Sequence, residues 1–269
     1  MNEQMRAELP RVEEMPVVIL CGGLGTRLAG QTEVRPKPLV EIGGRPILWH
    51  IMKHYSHYGF RQFVLALGYK GEMIKRYFLD FYTLDHDFSV SLEKGQVRTL
   101  NHPDVEPWEV HLLDTGPTTA TGGRLKRLEP LLSKSTFMMT YGDGVGTVNL
   151  SELLAFHRNH GGLATLTAVR PPARFGALEF NGKQIRHFKE KSTLQEGWIN
   201  GGFFVIEPKA LRYIQQDVMW EHGPMEQLAE DGQLYGFKHE GFWQCMDTQR
   251  ELQYLESLWE TGKPPWKTW

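Results

Sequence analysis

Cysteine and a surplus of charge of one sign are both scarce in this 269-residue chain, and each shortage excludes a class of protein. Two cysteines, Cys21 and Cys245, are too few for a disulfide framework at this length, and no third cysteine completes a metal site. Lys and Arg number 30 against 32 Asp and Glu. Because no basic surplus is available to bind a long polyanion, nucleic acid is excluded as the main partner.

Long apolar runs are missing as well. Nowhere do 18 consecutive apolar residues occur, so the sequence predicts no membrane-spanning helix and no membrane partner. Residues 1–15 carry charges from Glu3 to Glu14 and lack the continuous apolar stretch of a secretory signal. We therefore expect a cytoplasmic protein in which residues 1–15 form a flexible N-terminal arm.

The chain does contain an alternation of strand and helix patterns. A short apolar run at 17–20 ends at Gly22 and Gly23, as a buried parallel strand does where it enters a loop. Helical spacing follows at 46–58, then a strand pattern at 63–67 and a second helix at 72–82. This β-α-β-α order predicts an α/β fold with a mostly parallel central sheet and helices on both faces.

Residues 85–114 interrupt the alternation with short apolar-polar repeats, typical of antiparallel or edge strands. We predict a small inserted β flap here, available as an oligomer interface. Beyond it we predict helices at 124–132 and 151–160, strands at 136–140, 163–169 and 203–206, and a hairpin at 176–189 around Asn181 and Gly182. Since no repeat or linker is visible, 16–269 is predicted to be a single domain.

A glycine-rich stretch directly after the first strand is a candidate phosphate site. Gly22, Gly23 and Gly25 allow backbone amides to approach a phosphate without Cβ interference, and Arg27 adds a charged fork. Leu28 stands where a dinucleotide-binding fingerprint requires its third glycine, and no Gly-Lys-Ser/Thr follows. A glycine turn without a ligand remains the alternative.

Three further charged residues are candidates for the same site. Prolines on both sides of Lys37 restrict where its ammonium can point. Asp143 follows a predicted strand, at the sheet edge where open α/β folds bind ligands. Mg²⁺ usually takes one or two protein carboxylates, and Asp247 is a candidate for the second. An ordinary loop for Lys37 and plain turns for the two aspartates remain open.

Histidine and tryptophan could indicate transition-metal binding or base stacking. His50, His54 and His57 lie on a predicted helix rich in aromatic residues, so we assign them packing or surface roles. We expect most of the tryptophans to lie in the core or at a subunit interface.

In combination, several motifs make the chain resemble the sugar-phosphate nucleotidyltransferases over about residues 17–269. The motifs are LCGGLGTRL at 20–28, PKP at 36–38, EIGGRP at 41–46, TGGRLKR at 121–127, YGDG at 141–144, GGFF at 201–204 and PPWKTW at 264–269. The stretches at 121–127 and 266–269 look more like the cytidylyl branch than the thymidylyl, adenylyl or uridylyl branches.

The resemblance implies a Rossmann-like nucleotidyltransferase fold. It also implies an enzyme that uses Mg²⁺ to transfer CMP from CTP to α-D-glucose 1-phosphate, giving CDP-glucose and pyrophosphate. Relatives form multimers, so we expect a homo-oligomer, a trimer or a hexamer. Two alternatives stay open: the same fold acting on a different nucleotide or phosphorylated acceptor, and a non-catalytic homologue that binds nucleotide.

Carried over by motif, the resemblance also assigns roles to single residues. Substrate-binding roles fall on Leu20, Cys21, Gly22, Gly23, Leu24, Gly25, Thr26, Arg27, Lys37, Thr119, Thr121, Gly122, Arg124, Gly142, Glu190, Lys191 and Asn200. Arg27, Lys37 and Lys191 would be catalytic, while Asp143 and Asp247 would hold Mg²⁺. Because a sugar phosphate is already ionised at neutral pH, this reaction needs positioning and charge neutralisation rather than a general base.

Overall fold

The computed structural model describes residues 11–23, 25, 28, 30, 32, 34–82, 87–100, 106–171, 177–181, 184–189 and 197–269. The strands within them are β1 (Pro16–Cys21), β2 (Glu41–Ile42), β3 (Arg45–Pro46), β4 (Gln62–Leu67), β5 (Phe88–Ser91), β6 (Gln96–Thr99), β7 (Glu109–Asp114), β8 (Phe137–Tyr141), β9 (Gly144–Gly146), β10 (Ala164–Val169), β11 (Ala177–Asn181), β12 (Gln184–Lys189), β13 (Ile199–Ile206), β14 (Leu234–His239) and β15 (Trp243–Cys245). The α-helices are α1 (Ile47–His57), α2 (Gly71–Leu79), α3 (Thr121–Arg127), α4 (Glu129–Leu132), α5 (Leu150–His160), α6 (Pro224–Glu230) and α7 (Gln249–Glu260).

The fold is built around a seven-stranded sheet in the order β14-β10-β13-β8-β1-β4-β7. Strand β1 pairs in parallel with β4 and β8, β4 pairs in parallel with β7, and β10 pairs in parallel with β14. Only β13 runs antiparallel to its neighbours in this sheet, β8 and β10. The predicted α/β fold with a mostly parallel sheet is confirmed.

The central strands are apolar without interruption because both faces of the sheet are covered. Within β1, Val17 and Ile19 belong to one core cluster, whereas Val18 and Leu20 belong to another. Helices α1, α2, α5 and α7 contribute to the first cluster, and α3, α4 and α6 contribute to the second. Helices therefore pack on both faces, and the parallel strands end together at one edge.

The last residues of the predicted flexible arm, 11–15, pack against the domain. Val12–Glu14 form a 3₁₀ helix, and Met15 is fully buried in the core. Burial of one large apolar side chain is enough to attach residues 11–15 to the domain. Residues 1–10 lie outside the described part of the chain.

The predicted flap at 85–114 divides into two parts. Strands β5 and β6 form an antiparallel hairpin, but β7 is an edge strand of the central sheet and runs parallel to β4. Strand β7 has a neighbour on one side only and is partly buried along its middle, and the period of so short a strand does not separate a sheet edge from a hairpin. Residues 83–86 and 101–105 lie outside the described residues.

Several predicted boundaries change as well. Helix 124–132 begins earlier, at Thr121, and is divided at Leu128, because Pro130 is accepted only in the first turn of a helix. Helix 72–82 ends at Leu79. The predicted hairpin is present as β11 and β12, with residues 182–183 outside the described part. The strand predicted at 203–206 begins earlier, at Ile199, and a further strand, β14, follows it in the chain and pairs with β10.

Of the histidines on α1, His50 and His54 pack in the core and His57 is exposed, in agreement with the predicted packing or surface roles. His50 Nε2 donates to the Ile42 carbonyl at 2.9 Å and His54 Nε2 donates to the Val148 carbonyl at 3.0 Å. Both rings are buried, and burial lowers the pKa of each to about 4. Trp220 and Trp266 are core residues.

Within the described residues, no helix has both the length and the apolar character needed to cross a bilayer.

Acid should destabilise this fold through the two buried histidines. Their folded pKa of about 4 lies below the ordinary 6.5, so the unfolded chain binds more protons as the pH falls through this window. The free energy of unfolding should fall by up to about 1.4 kcal/mol per pH unit for each ring. Urea denaturation over a pH series should show a shallower loss for His54→Gln than for exposed His57→Gln. Equal slopes would contradict this assignment.

Candidate active site at the carboxyl ends of the central strands

A cavity of about 500 Å³ opens where β1 and β8 end. Open α/β sheets bind their ligands at this edge. The predicted site residues that line the cavity are Leu20, Cys21, Gly22, Gly23, Lys37, Thr119, Thr121, Arg124, Gly142 and Asp143. The fold thus brings together residues that the sequence separates by more than a hundred positions.

Four predicted site residues are described but do not line the cavity: Gly25, Gly122, Asn200 and Asp247. Gly25 packs beside Lys37, while Gly122 packs against the Val218 carbonyl because Thr121–Arg127 is a helix rather than a turn. The predicted substrate residues Leu24, Thr26, Arg27, Glu190 and Lys191 lie outside the described residues.

Gly142 allows the ends of β1 and β8 to meet. Its amide donates to the Leu20 carbonyl at 3.2 Å, and a Cβ at this position would lie only 2.9 Å from that oxygen and 3.1 Å from the Pro38 ring. A side chain would therefore push the strand ends apart and close the gap beside Asp143. Glycine is required here for close approach of the backbone.

Arg124 connects three strand ends beneath the cavity. Its guanidinium donates to the Leu67 carbonyl at 2.9 Å, Thr115 Oγ1 at 2.7 Å, the Gly116 carbonyl at 2.8 Å and the Gly22 carbonyl at 3.1 Å. The residue is 3% exposed, and this burial lowers its pKa from the ordinary value. Arg124 thus gives the cavity positive charge and at the same time holds the backbone at Gly22, directly after β1.

The strongest electrostatic feature of the site is an ion triad of Lys37, Asp143 and Asp247. Lys37 Nζ lies 2.6 Å from Asp143 Oδ2 and 2.5 Å from Asp247 Oδ1. Burial alone would lower the pKa of Lys37, but the two carboxylates outweigh it and raise that pKa above its ordinary value. The two aspartates predicted to act together are therefore adjacent in space.

Local structure explains why two acids so far apart in sequence meet. Strands β9 and β15 pair with Gly144 opposite Cys245, which places Asp143 and Asp247 just beyond the same end of this ladder. The Met246 amide donates to the Asp143 carbonyl at 2.8 Å. Asp247 is held from the other side, since its amide donates to Glu251 at 2.8 Å within the capping box that begins α7.

The donor set of the triad suits a divalent cation. Two carboxylates already converge on one positive group, and hard cations such as Mg²⁺ prefer carboxylate oxygens completed by phosphate and water. The position between the two carboxylates already holds a positive charge, the Lys37 ammonium.

Some residues of the site have no role that was predicted from the sequence. Tyr141 and Met219 line the cavity, and Glu221 lies behind Tyr141 and hydrogen-bonds to it. Tyr141 lies in the YGDG motif, which was a usable signal. Met219 and Glu221 lie in an irregular segment between a 3₁₀ helix and α6 and had no such signal.

A parallel sheet whose carboxyl edge holds a glycine-lined cavity with fixed cations is typical of α/β proteins that bind phosphorylated ligands. The nucleotidyl transferase family model matches residues 16–245, and the chain belongs to this family. Members of the family commonly use a divalent metal ion.

Comparison with individual proteins gives the following similarities. Glucose-1-phosphate cytidylyltransferase of Salmonella typhimurium is 50% identical over 95% of this chain and 100% of its own length. A probable glucose-1-phosphate cytidylyltransferase of Bacillus subtilis is 43% identical with the same coverage. The solved structure of UDP-glucose pyrophosphorylase from Acinetobacter has a TM-score of 0.66 at 13% identity, covering 94% of this chain and 95% of its own. This last similarity concerns the fold alone.

Replacing Arg124 by Lys should destabilise the protein by about 2–4 kcal/mol. A lysine carries no fork, so several buried carbonyl and hydroxyl groups would lose their donor. Arg127→Lys on the same helix is the matched control, because exposed Arg127 makes one hydrogen bond, to the Thr115 carbonyl at 2.8 Å. Equal unfolding free energies for the two variants in urea would contradict the assignment.

Proposed function

We propose that this chain transfers CMP from CTP to α-D-glucose 1-phosphate and forms CDP-glucose and pyrophosphate. The single observation that carries the proposal is the ion triad beside a glycine-lined phosphate cavity. It stands in a chain that is half identical, over almost its full length, to a curated enzyme named for this reaction.

The charges of the substrates determine what the site has to do. An oxygen of the sugar phosphate attacks the α-phosphorus of CTP, a new P–O bond forms, and the bond to the departing pyrophosphate breaks. The attacking phosphate is already an anion, so no base has to remove a proton. Two polyanions must instead be brought into line and their repulsion reduced.

Residues of the cavity fit this task. Gly22 and Gly23 line it without side chains, which leaves backbone available to phosphate oxygens. Thr119, Thr121 and Arg124 form the wall that we assign to the nucleotide. The Lys37 ammonium is held by Asp143 and Asp247. It therefore places a positive charge beside the position that we assign to the phosphates.

Asp143 and Asp247 are the residues that would hold the divalent ion, which we propose to be Mg²⁺. When bound, such an ion neutralises phosphate charge and acts as a Lewis acid. Charge stabilisation of the pyrophosphate by Arg27, and contacts of Glu190, Lys191 and Asn200 with the sugar phosphate, remain predictions from the family resemblance.

We further propose a cytoplasmic homo-oligomer, a trimer or a hexamer. Its support is the hairpin of β5 and β6, on which Phe88, Val90 and Val97 share one face and are each more than two-fifths exposed. A two-stranded hairpin is marginally stable by itself, so packing of this face on a second copy would stabilise it. Light scattering of the purified protein tests this, and a monomer would contradict it.

The test of the proposed function is pyrophosphate release with Mg²⁺ over a panel of nucleotides and sugar 1-phosphates. CTP with glucose 1-phosphate should be turned over fastest, and Lys37→Ala should reduce turnover roughly 10²-fold or more, because a fixed charge at the phosphates is lost. Lys134→Ala, an exposed lysine near the opposite end of β8, is the control.

Faster turnover of another pair would identify a different member of the family. Mg²⁺-dependent CTP binding by calorimetry without any product would indicate a non-catalytic homologue. Unchanged turnover in Lys37→Ala would remove this lysine from the catalytic residues.

A further inference from the structure

A carboxylate that the proposed mechanism does not use lies between two walls of the cavity. Glu221 Oε1 accepts a hydrogen bond from the Tyr141 hydroxyl, and Glu221 Oε2 accepts one from Thr121 Oγ1 at 2.6 Å. Tyr141 ends β8 and Thr121 begins α3, and both line the cavity, whereas Glu221 does not. Glu221 therefore connects two walls from behind.

Tyr141 passes this connection on to Asn200. The Asn200 amide nitrogen donates to the Tyr141 hydroxyl at 3.1 Å, and the Gly202 amide donates to Asn200 Oδ1 at 2.8 Å. These two contacts determine which way the Asn200 amide points. Among the described residues, no partner is seen for its second N–H and its second lone pair, a combination that suits a sugar hydroxyl, which both donates and accepts.

The Tyr141 ring is fixed by packing as well as by hydrogen bonds. Gly202 has a φ of +79°, and a Cβ at this position would lie 2.6 Å from the ring. Phe204 contacts the ring edge-on, with centroids 5.9 Å apart. Packing and hydrogen bonds together therefore hold the Tyr141 hydroxyl between Glu221 and Asn200.

We infer that Glu221 is a positioning residue for the acceptor: it orients Tyr141, and through Tyr141 the Asn200 amide, toward the hydroxyls of a sugar phosphate. The inference rests on the proposed function, which assigns Asn200 to the sugar. The wall assigned to the nucleotide is held independently, because Arg124 anchors α3 by four hydrogen bonds of its own. Loss of the Glu221 contact should therefore affect the acceptor more than CTP.

The first test is steady-state kinetics of Glu221→Gln, which keeps the shape but replaces one accepting oxygen by an amide donor. The KM for the acceptor should rise about tenfold, while the KM for CTP should change less than about twofold. Glu230→Gln, an exposed glutamate of α6, is the matched control and should leave both KM values unchanged. Equal rises in both KM values with a lower thermal midpoint would indicate a merely structural role and overturn the inference.

A double-mutant cycle with Tyr141→Phe tests the route of the effect. If Glu221 acts through the Tyr141 hydroxyl, Glu221→Gln should change the acceptor KM less than about twofold in the Tyr141→Phe background. A further tenfold rise in that background would overturn the inference.

Wild-type turnover separates this test from the proposed function. If the wild type makes no product from CTP and glucose 1-phosphate, the proposed function fails, and the cycle is run with the acceptor that the substrate panel identifies. If the wild type makes product and the variants keep an unchanged acceptor KM, only the role of Glu221 fails.

Discussion

The Lys37 ammonium lies between the Asp143 and Asp247 carboxylates, and the rest of the site depends on this contact. Two partly buried carboxylates this close repel each other unless a cation lies between them. The ammonium supplies that charge, and a divalent ion with bound phosphates would supply more of it. In the proposed complex the two carboxylates would keep their places around the ion, and the Lys37 ammonium would turn from them toward the phosphates.

Three local features of the fold bring these residues together. The short ladder of β9 and β15 aligns the two acids, and the capping box of α7 holds Asp247 in place. Gly142 lets the ends of β1 and β8 come close enough to place Asp143 beside Lys37. Arg124 holds the backbone at Gly22 from below, on the side of the cavity where we propose that phosphates bind.

Much of this architecture could be predicted from sequence because the signals were strong and local. Strands β1 and β4 are continuous apolar runs, and Asp143 stands at a strand end between glycines, so its place at the sheet edge followed from topology. The direction of β7 could not be predicted, since the period of a short strand is the same in a hairpin and at a sheet edge. Strand β14 gave no clear signal, because it is short, partly exposed and interrupted by Gly236. The donors of Arg124 reach backbone carbonyls, which carry no side-chain signal. Glu221 contacts Tyr141 and Thr121, which lie 80 and 100 residues away in the sequence, so no local pattern indicates these contacts.

The most direct measurement is a crystal structure of the protein with CTP and Mg²⁺. We predict that Asp143 and Asp247 hold one ion against phosphate oxygens of the nucleotide and that Lys37 is turned toward the phosphates. Carboxylates that point apart, with nucleotide bound and no cation between them, would contradict it.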